Sequence, residues 1–493
     1  MQPVPLFGSG VFGKSAVVTR QRRVNCYYEN RADGDKAKVV VYGTPGLVLM
    51  FTTGSLPIRG VLSVNEAQLY GVIYNQFGML TPPAVPGGVA VFTVLGTINT
   101  LGGLLSMAAS PNASQIVIVD GVGGWVYQPL LGTFTALPNT WFVAGAQTVT
   151  NVAGYFVCDQ PGGPNFGVSN INDATTGNGL STGAAAAYPD FLEAVDSLAG
   201  NLINFSQQHL EFWQNVGAPP PGQPFQLIQS SPLKIGLPAI FARTHIDNTL
   251  VFLGETEAGT RRVYRIDGFN VTPISEEIDW IINQAGFVYA DATMLSYQRD
   301  KHPFAQLTFP TMSRSFLFDL STNIPSEVQT GLSVTTYERH QGNLSSYYNG
   351  DTIITDWANG NVYRMDDQTY TDNGGVVLRE VITKHHIRGF NRFRVPQLYL
   401  DMETGVGVST GDQLNPVAGQ KPVVSIECSK DNGRTWLQAR LIPLGARGAY
   451  MARVNARRFG QARVFTWRIR MTEPVKFVIT DGAIKRKGRP ETN

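Results

Sequence analysis

From about residue 57 to residue 369 the chain alternates short apolar runs with clusters of Gly, Pro, Asn and Asp. Runs such as Gln115–Val119, Thr249–Leu253, Phe304–Phe309 and Thr352–Asp356 have the alternating or continuous apolar pattern of strands, and the residues between them predict turns. The runs come in sets. Leu105–Ala108 is followed by Gln115–Val119 and Trp125–Tyr127; Ala239–Arg243 by Thr249–Leu253 and Arg262–Ile266; Ala292–Tyr297 by Phe304–Phe309 and Ser315–Asp319; Thr335–Arg339 by Leu344–Tyr348, Thr352–Asp356 and Val362–Met365. A strand-turn-strand-turn-strand unit recurring at about 40–50 residues is the period of propeller blades. Seven units are countable, but the third, around Val149–Ala153 and Tyr155–Cys158, is weak, so six or seven blades are expected. Radial blades leave few exposed edges; stacked sandwiches are the alternative architecture. Helical periodicity is confined to Val271–Gln284, where Ser275 precedes Glu276, Glu277, Ile278, Trp280 and Ile281, and it predicts one to three turns. The small, polar segment Thr175–Asp190 predicts a long loop or tip.

From about Gly374 the pattern changes. Longer strands such as Gln397–Met402, Pro422–Cys428 and Arg463–Met471 predict a second, sandwich-like β-domain. Lys38–Tyr42 is strand-like and far from any blade. The expected fold is all-β: a six- or seven-bladed β-propeller over 57–369, and a β-sandwich-like platform built from the chain ends, with 1–56 as its N-terminal arm and 370–493 as a basic C-terminal domain.

Charge sharpens this division. Between Gly60 and Leu233 there is no Lys or Arg, although the chain has 39 such residues, and the same span holds eight acids. Residues 1–59 are net +5, 234–373 net −7 and 374–493 net +12. Both ends are basic and the middle is acidic, as expected for oriented assembly or a charged partner. Nucleic-acid affinity rests on Lys and Arg displacing counterions, so the span 60–233 excludes tight binding of a polyanion and permits one to slide past. Cys26, Cys158 and Cys428 have no metal spacing and are expected as small buried hydrophobes in a protein made in a reducing cytoplasm. Val85–Ser110 is uncharged, but Pro86, its glycines and the alternation around Val89, Val91 and Val94 predict strands rather than a membrane span.

Three motifs invite chemistry. Gly8–Ser15 fits the phosphate-loop pattern G-x-x-x-x-G-K-[ST], and Ile116–Asp120 resembles the strand that supplies a magnesium carboxylate. The mechanism needs a strand before the loop and a helix after it. Two prolines precede it and the β-branched run Ala16–Thr19 follows, so nucleotide binding is not expected, and Asp120-Gly121 predicts a hairpin turn. Ser429, Asp431, Gly433, Thr435 and Trp436 fit the Asp-box pattern S-x-D-x-G-x-T-W, a structural hairpin in which side chains bond turn amides. His385 and His386 are adjacent on a strand and face opposite ways, so they predict a solvated cationic strand rather than a metal site. No catalytic, cofactor-binding or metal-binding residue is assigned, and no enzyme is expected.

A family resemblance runs through the chain. Val24–Asn30, Gly43–Leu47, Pro224–Ile228, Val263–Arg265, Ser296–Gln298, Gly360–Asp366, Tyr370–Gly374, Gly445–Tyr450, Arg457–Arg463 and Arg468–Arg470 resemble, in order, segments of the packaged-DNA stabilisation proteins, the tail hub or nozzle proteins of short-tailed phages (podoviruses). The similarity is weak between about 60 and 220. It implies a virion tail protein assembled in the host cytoplasm. It implies a homo-oligomer, a hexameric tube below the portal and its adaptor. Tail fibre or tailspike and plug or needle proteins would be neighbours, and DNA would pass through the lumen without tight binding. It implies no cofactor. Candidate channel or tip residues are Asp159, Asp173 and Asp190; candidate adaptor or inter-subunit contacts are Arg453, Arg457, Arg458, Arg463, Arg468 and Arg470. The alternative reading is a glycan-binding or glycan-cleaving tail propeller, which would need carboxylates and aromatics converging in a cleft.

Overall fold

The computed structural model describes residues 2–3, 7, 14–31, 39–65, 67–217, 222–229, 231–332, 338–389, 391–408 and 417–487. The turn signals delimit antiparallel hairpins, and these assemble into seven blades, each built on a path of four strands. The first blade is Ile58–Val64, Gln68–Ile73, Gln76–Thr81 and Val91–Thr97; the second spans Ser106–Ala136, the third Val149–Ala184, the fourth Leu192–Leu227, the fifth Ile235–Pro273 and the sixth Thr293–Val328. The seventh takes Gly342–Tyr348, Asp351–Asp356 and Asn361–Asp366 and completes itself with Gly46–Thr52 from the other end of the chain, Val362 opposite Phe51 and Tyr363 opposite Leu49.

Each blade buries its two faces against its neighbours. Seven separate apolar clusters lie between successive blades, among them Val117, Phe142 and Phe156 between the second and third, and Phe51, Leu80 and Ile353 between the seventh and first. Seven interfaces for seven blades close the ring. Burial of these side chains supplies the main stabilisation, roughly 25 cal/mol per Å² of apolar surface.

Several details depart from the sequence expectation. The repeat predicts three strands per unit; the structure adds a fourth, outer one. Several of these outer strands are short and solvent-facing, for example Thr133–Ala136 and Asn270–Pro273, so they carry little periodic signal. Thr175–Asp190 is not a free loop: Thr182–Ala184 is the outer strand of the third blade. The helix expected over Val271–Gln284 is a single turn, Asp279–Ile282, because Asn270–Pro273 is committed to the fifth blade. Of the strand expected over Thr335–Arg339, the part before Glu338 lies outside the described residues. The N-terminal arm splits: Gly46–Thr52 completes the seventh blade, whereas Arg22–Val24, Cys26–Asn30 and Val39–Gly43 enter the sandwich sheets, Arg22–Val24 beside the last strand of the sixth blade.

Those earlier strands enter a β-sandwich. One sheet runs Cys26–Asn30, Val39–Gly43, Val478–Lys487, Phe393–Met402 and Val454–Ala462. The other continues directly from the sixth blade: Ile324–Val328, Arg22–Val24, Arg379–Ile382, Val464–Met471, Val423–Ser429 and Arg440–Pro443. Cys26, Phe393, Val424, Phe465, Trp467 and Ile479 are buried between them. All three cysteines are free and buried, and burial pushes the Cys26 and Cys428 thiols up to about 12. No helix among the described residues is long and apolar enough to cross a membrane.

Candidate functional site

The span without Lys or Arg forms the first four blades. Most of its described acids are tied into the fold. Asp159 ends a buried strand, is 3% exposed, and accepts bonds from the Gln147 amide (3.1 Å), the Thr148 amide (2.6 Å) and the Thr148 hydroxyl (2.8 Å). Burial raises its pKa against those bonds. Asp173 accepts from Gln115 Nε2 (3.2 Å) and from the Thr175 and Thr176 hydroxyls (2.6 Å each). Partial burial pushes its carboxyl up, but those bonds outweigh it and the net shift is downward. Asp190 accepts from the Gln208 amide and lies against His209 Nδ1, both at 2.9 Å. Asp120 caps the hairpin at Gly121 through the Val122 and Gly123 amides, and Asp196 is held by Arg243 Nε and His245 Nε2, each at 2.7 Å. Of the expected channel or tip acids, Asp159 is inaccessible, Asp173 is held by its own turn and by Gln115 of the second blade, and Asp190 Oδ2 is held by the Gln208–His209 turn of the fourth blade.

What these blades present to solvent is therefore largely uncharged. Val85, Val89, Val91, Leu130, Leu131 and Leu180 are exposed on them, Leu130 by 90%. The signal available in the sequence was the missing basic residues. The inward direction of the acids was not legible, because it depends on which turn amides lie near each carboxylate.

The basic domain divides in two. Arg453, Arg457, Arg458 and Arg463 are exposed on the sandwich. Arg468 and Arg470 are not available as partner contacts, which corrects that expectation. Arg468 pairs with Glu427, and Arg470 Nε lies 2.5 Å from Glu380 Oε2 and its Nη1 3.6 Å from Glu427 Oε2. Residues two apart on a strand share a face, so Arg468 and Arg470 were bound to meet one set of partners. That alternation was the overlooked signal for Glu380 and Glu427.

The Asp-box forms the expected turn. Ser429 Oγ accepts the Gly433 amide (2.8 Å), and Asp431 accepts the Arg434 and Thr435 amides (3.1 and 2.9 Å) and the Thr435 hydroxyl (2.6 Å). Gly433 has φ +77, where a side chain would be strained, and Arg468 stacks 4.3 Å over Trp436. Residues 8–13 of the phosphate-loop lookalike lie outside the described residues; after it the Val18 and Thr19 amides both bond to the Ser15 carbonyl, a tight turn with no helix behind it. The histidine pair is not a solvated strand. His386 is buried against Trp467, and His385 lies 2.6 Å from the Thr466 hydroxyl and 2.8 Å from the Ala16 carbonyl. Among the described residues no group of His, Cys, Asp and Glu is placed to hold a metal ion.

A cavity of 850 Å³ opens at one end of the propeller axis, where the inner strands begin. Arg59, Glu193 and Asp291 reach it from the first, fourth and sixth blades, and Arg339 and Trp357 both from the seventh. Arg59 is spent on the fold, donating to the carbonyls of Tyr74, Thr100, Gly102 and Gly103.

Comparison with known proteins agrees with the architecture. A family model described as bacteriophage P22 Gp10, beta-propeller, matches residues 4–370, and one described as bacteriophage P22 Gp10, beta-sandwich, matches residues 379–487. No curated protein matches. Among solved structures, the extracellular domain of the putative one-component system BT4673 from B. thetaiotaomicron is 8% identical, with TM-score 0.42 over 69% of this chain and 45% of that one. This chain thus spans under half of its length. The N-terminal domain of Nup159 is 9% identical, with TM-score 0.38 over 70% and 98% of the two chains. The RRP9 WD40 repeats are 9% identical, with TM-score 0.40 over 66% and 99%.

Proposed function

We infer a structural role in the virion tail from the kinship of this chain, which belongs to the bacteriophage P22 Gp10 family, the packaged-DNA stabilisation or tail hub proteins of phages. In our reading it is one subunit of a ring-shaped nozzle below the portal and its adaptor. The ring retains the packaged genome and then conducts it outward. Six copies would make head-to-tail contacts around the axis, as closed rings of identical subunits do.

The observation that carries this reading is the pairing of a basic-free surface over the first four blades with acids tied into the fold in the second, third and fourth. Such a surface offers DNA neither the cations that would trap phosphates nor a dense field of free carboxylates to repel it. The exposed Arg453, Arg457, Arg458 and Arg463 suit the opposite task of binding the adaptor or a neighbouring subunit. Fibre or tailspike and plug or needle proteins would be further neighbours. The role requires no cofactor and no catalytic step.

Negative-stain imaging of the purified protein, alone and in virions, tests this. A ring that coincides with the tail tube below the connector, and particles that lose DNA when the protein is depleted, are the expected results. A monomer found elsewhere in the particle, with DNA retained in its absence, would overturn the reading.

A further inference from the structure

The cavity at the end of the propeller axis has a composition that the nozzle role does not use. Trp357 lines it and is 43% exposed, unusual for so large an apolar ring on a soluble surface. The Arg339 guanidinium lies 4.3 Å over that ring. Arg339 is half-buried, makes no ion pair among the described residues, and its Nε has no hydrogen-bond partner. Burial pushes its pKa down to about 10, with Asp291 and Asp356 acting in the opposite direction from beyond contact distance. Asp291 Oδ2 accepts the Thr311 amide at 2.7 Å while Oδ1 has no partner. Glu193 takes one bond, from Gln207 Nε2 at 2.7 Å. Across Arg339 and Trp357 lies a second cavity of 490 Å³, lined also by Asp356.

Two cavities thus share an indole and a planar donor, with carboxylates on both sides and the apolar Ile240 and Phe241 in the larger one. Both volumes lie in the range of ligand pockets. A polyanion is disfavoured, because Glu193, Glu255, Asp291, Glu338 and Asp356 line the two cavities against the guanidiniums of Arg339 and of Arg59, which is spent on carbonyls. A sugar ring matches each part. Its apolar face suits Trp357, and its hydroxyls can donate to Glu193 and accept from the outer nitrogens of Arg339. We propose that Arg339, Trp357 and Glu193 form a binding site for a neutral saccharide at the mouth of the propeller axis, extending over two subsites. The site goes beyond the nozzle reading and does not depend on ring formation.

Saturation-transfer NMR and tryptophan fluorescence on the full chain, with glucose, galactose, mannose, rhamnose, N-acetylglucosamine and neutral oligosaccharides of these sugars as probes, test it. At least one probe is expected to bind with little dependence on salt. Trp357→Ala should weaken binding about tenfold, with Trp357→Phe recovering part of the loss, since stacking on an aromatic face is what is removed. Arg339→Lys keeps the charge and loses the planar fork, and should also weaken binding about tenfold. Thermal melting of Trp357→Phe and Arg339→Lys matched to the parent separates lost binding from lost fold. No binding by any probe at millimolar concentration would overturn the proposal. So would binding unchanged in properly folded Trp357→Ala, or a site that takes only peptides or polyanions with steep salt dependence.

Discussion

Arg22 Nη2 lies 2.8 Å from Glu327 Oε2, joining the sandwich strand Arg22–Val24 to the last strand of the sixth blade. The same guanidinium reaches Glu380 at 3.3 Å. Glu327 in turn accepts Arg314 at 3.3 Å, and Glu380 continues through Arg470 to Glu427 and Arg468. Alternating charges thus run across one continuous sheet from the propeller into the sandwich. Its members are mostly buried, so removing one is expected to cost far more than the pair is worth against an apolar replacement.

Glu327→Gln should accordingly destabilise the protein by about 3 kcal/mol, because two buried guanidiniums lose a carboxylate. Burial of Glu327 raises its pKa, but Arg22 and Arg314 outweigh that and hold it below the usual value. A depressed carboxylate contributes stability above its unfolded pKa, and that contribution is lost as pH falls through the folded one. Denaturant unfolding between neutral and acid pH should show the parent converging on the variant at low pH. A constant gap would refute the linkage.

Asp372 has the opposite sign. Burial pushes its carboxyl up to about 7, with Arg379 only partly opposing. Protonation is then favoured in the folded state. The stability is fully present below the unfolded value of about 3.9 and is lost as pH rises through about 7. Asp372→Asn should be neutral near pH 3 and stabilising near pH 8. Melting temperatures that fall equally at both would count against this assignment.

Lys14→Ala should leave nucleotide affinity unchanged, and that affinity should be undetectable in both proteins. The turn after Ser15 offers no helix N-terminus to cradle phosphates. Titration calorimetry with MgATP is the check; heat that disappears in the variant would revive the phosphate-loop reading.

Lys substitutions at exposed positions of the first four blades, such as Leu130→Lys, Leu180→Lys and Thr182→Lys, should slow genome ejection, with recovery at higher ionic strength. Each change is repeated in every subunit of the proposed ring. If ejection is unaffected while adsorption or fibre attachment changes, this face points outward and does not line the lumen.

The strand repeat, the basic-free span and the change of character near Gly374 were all present in local pattern, because alternation and turn residues act over a few positions. So was the Asp-box, whose bonds run only from Ser429 to Thr435. Tertiary structure decided what depends on distant partners. Gly46–Thr52 looks like any half-buried strand, and only its pairing with Asn361–Asp366 makes it the closure of the seventh blade. Thr182–Ala184 has too few apolar residues to announce itself and is held by its register with Asn165–Gly167. Arg468 and Arg470 carried visible charge, but whether that charge faced solvent or Glu380 and Glu427 was set by sheet order. Asp159 was visible as an acid in a neutral stretch, yet its direction was set by the Gln147 and Thr148 amides reached only when the third blade folds. Trp357 and Arg339 are 18 residues apart in the chain and become one surface because the pairing of Gly342–Tyr348 with Asp351–Asp356 brings the segments flanking it together, with the Trp357 amide bonded to the Gln341 carbonyl.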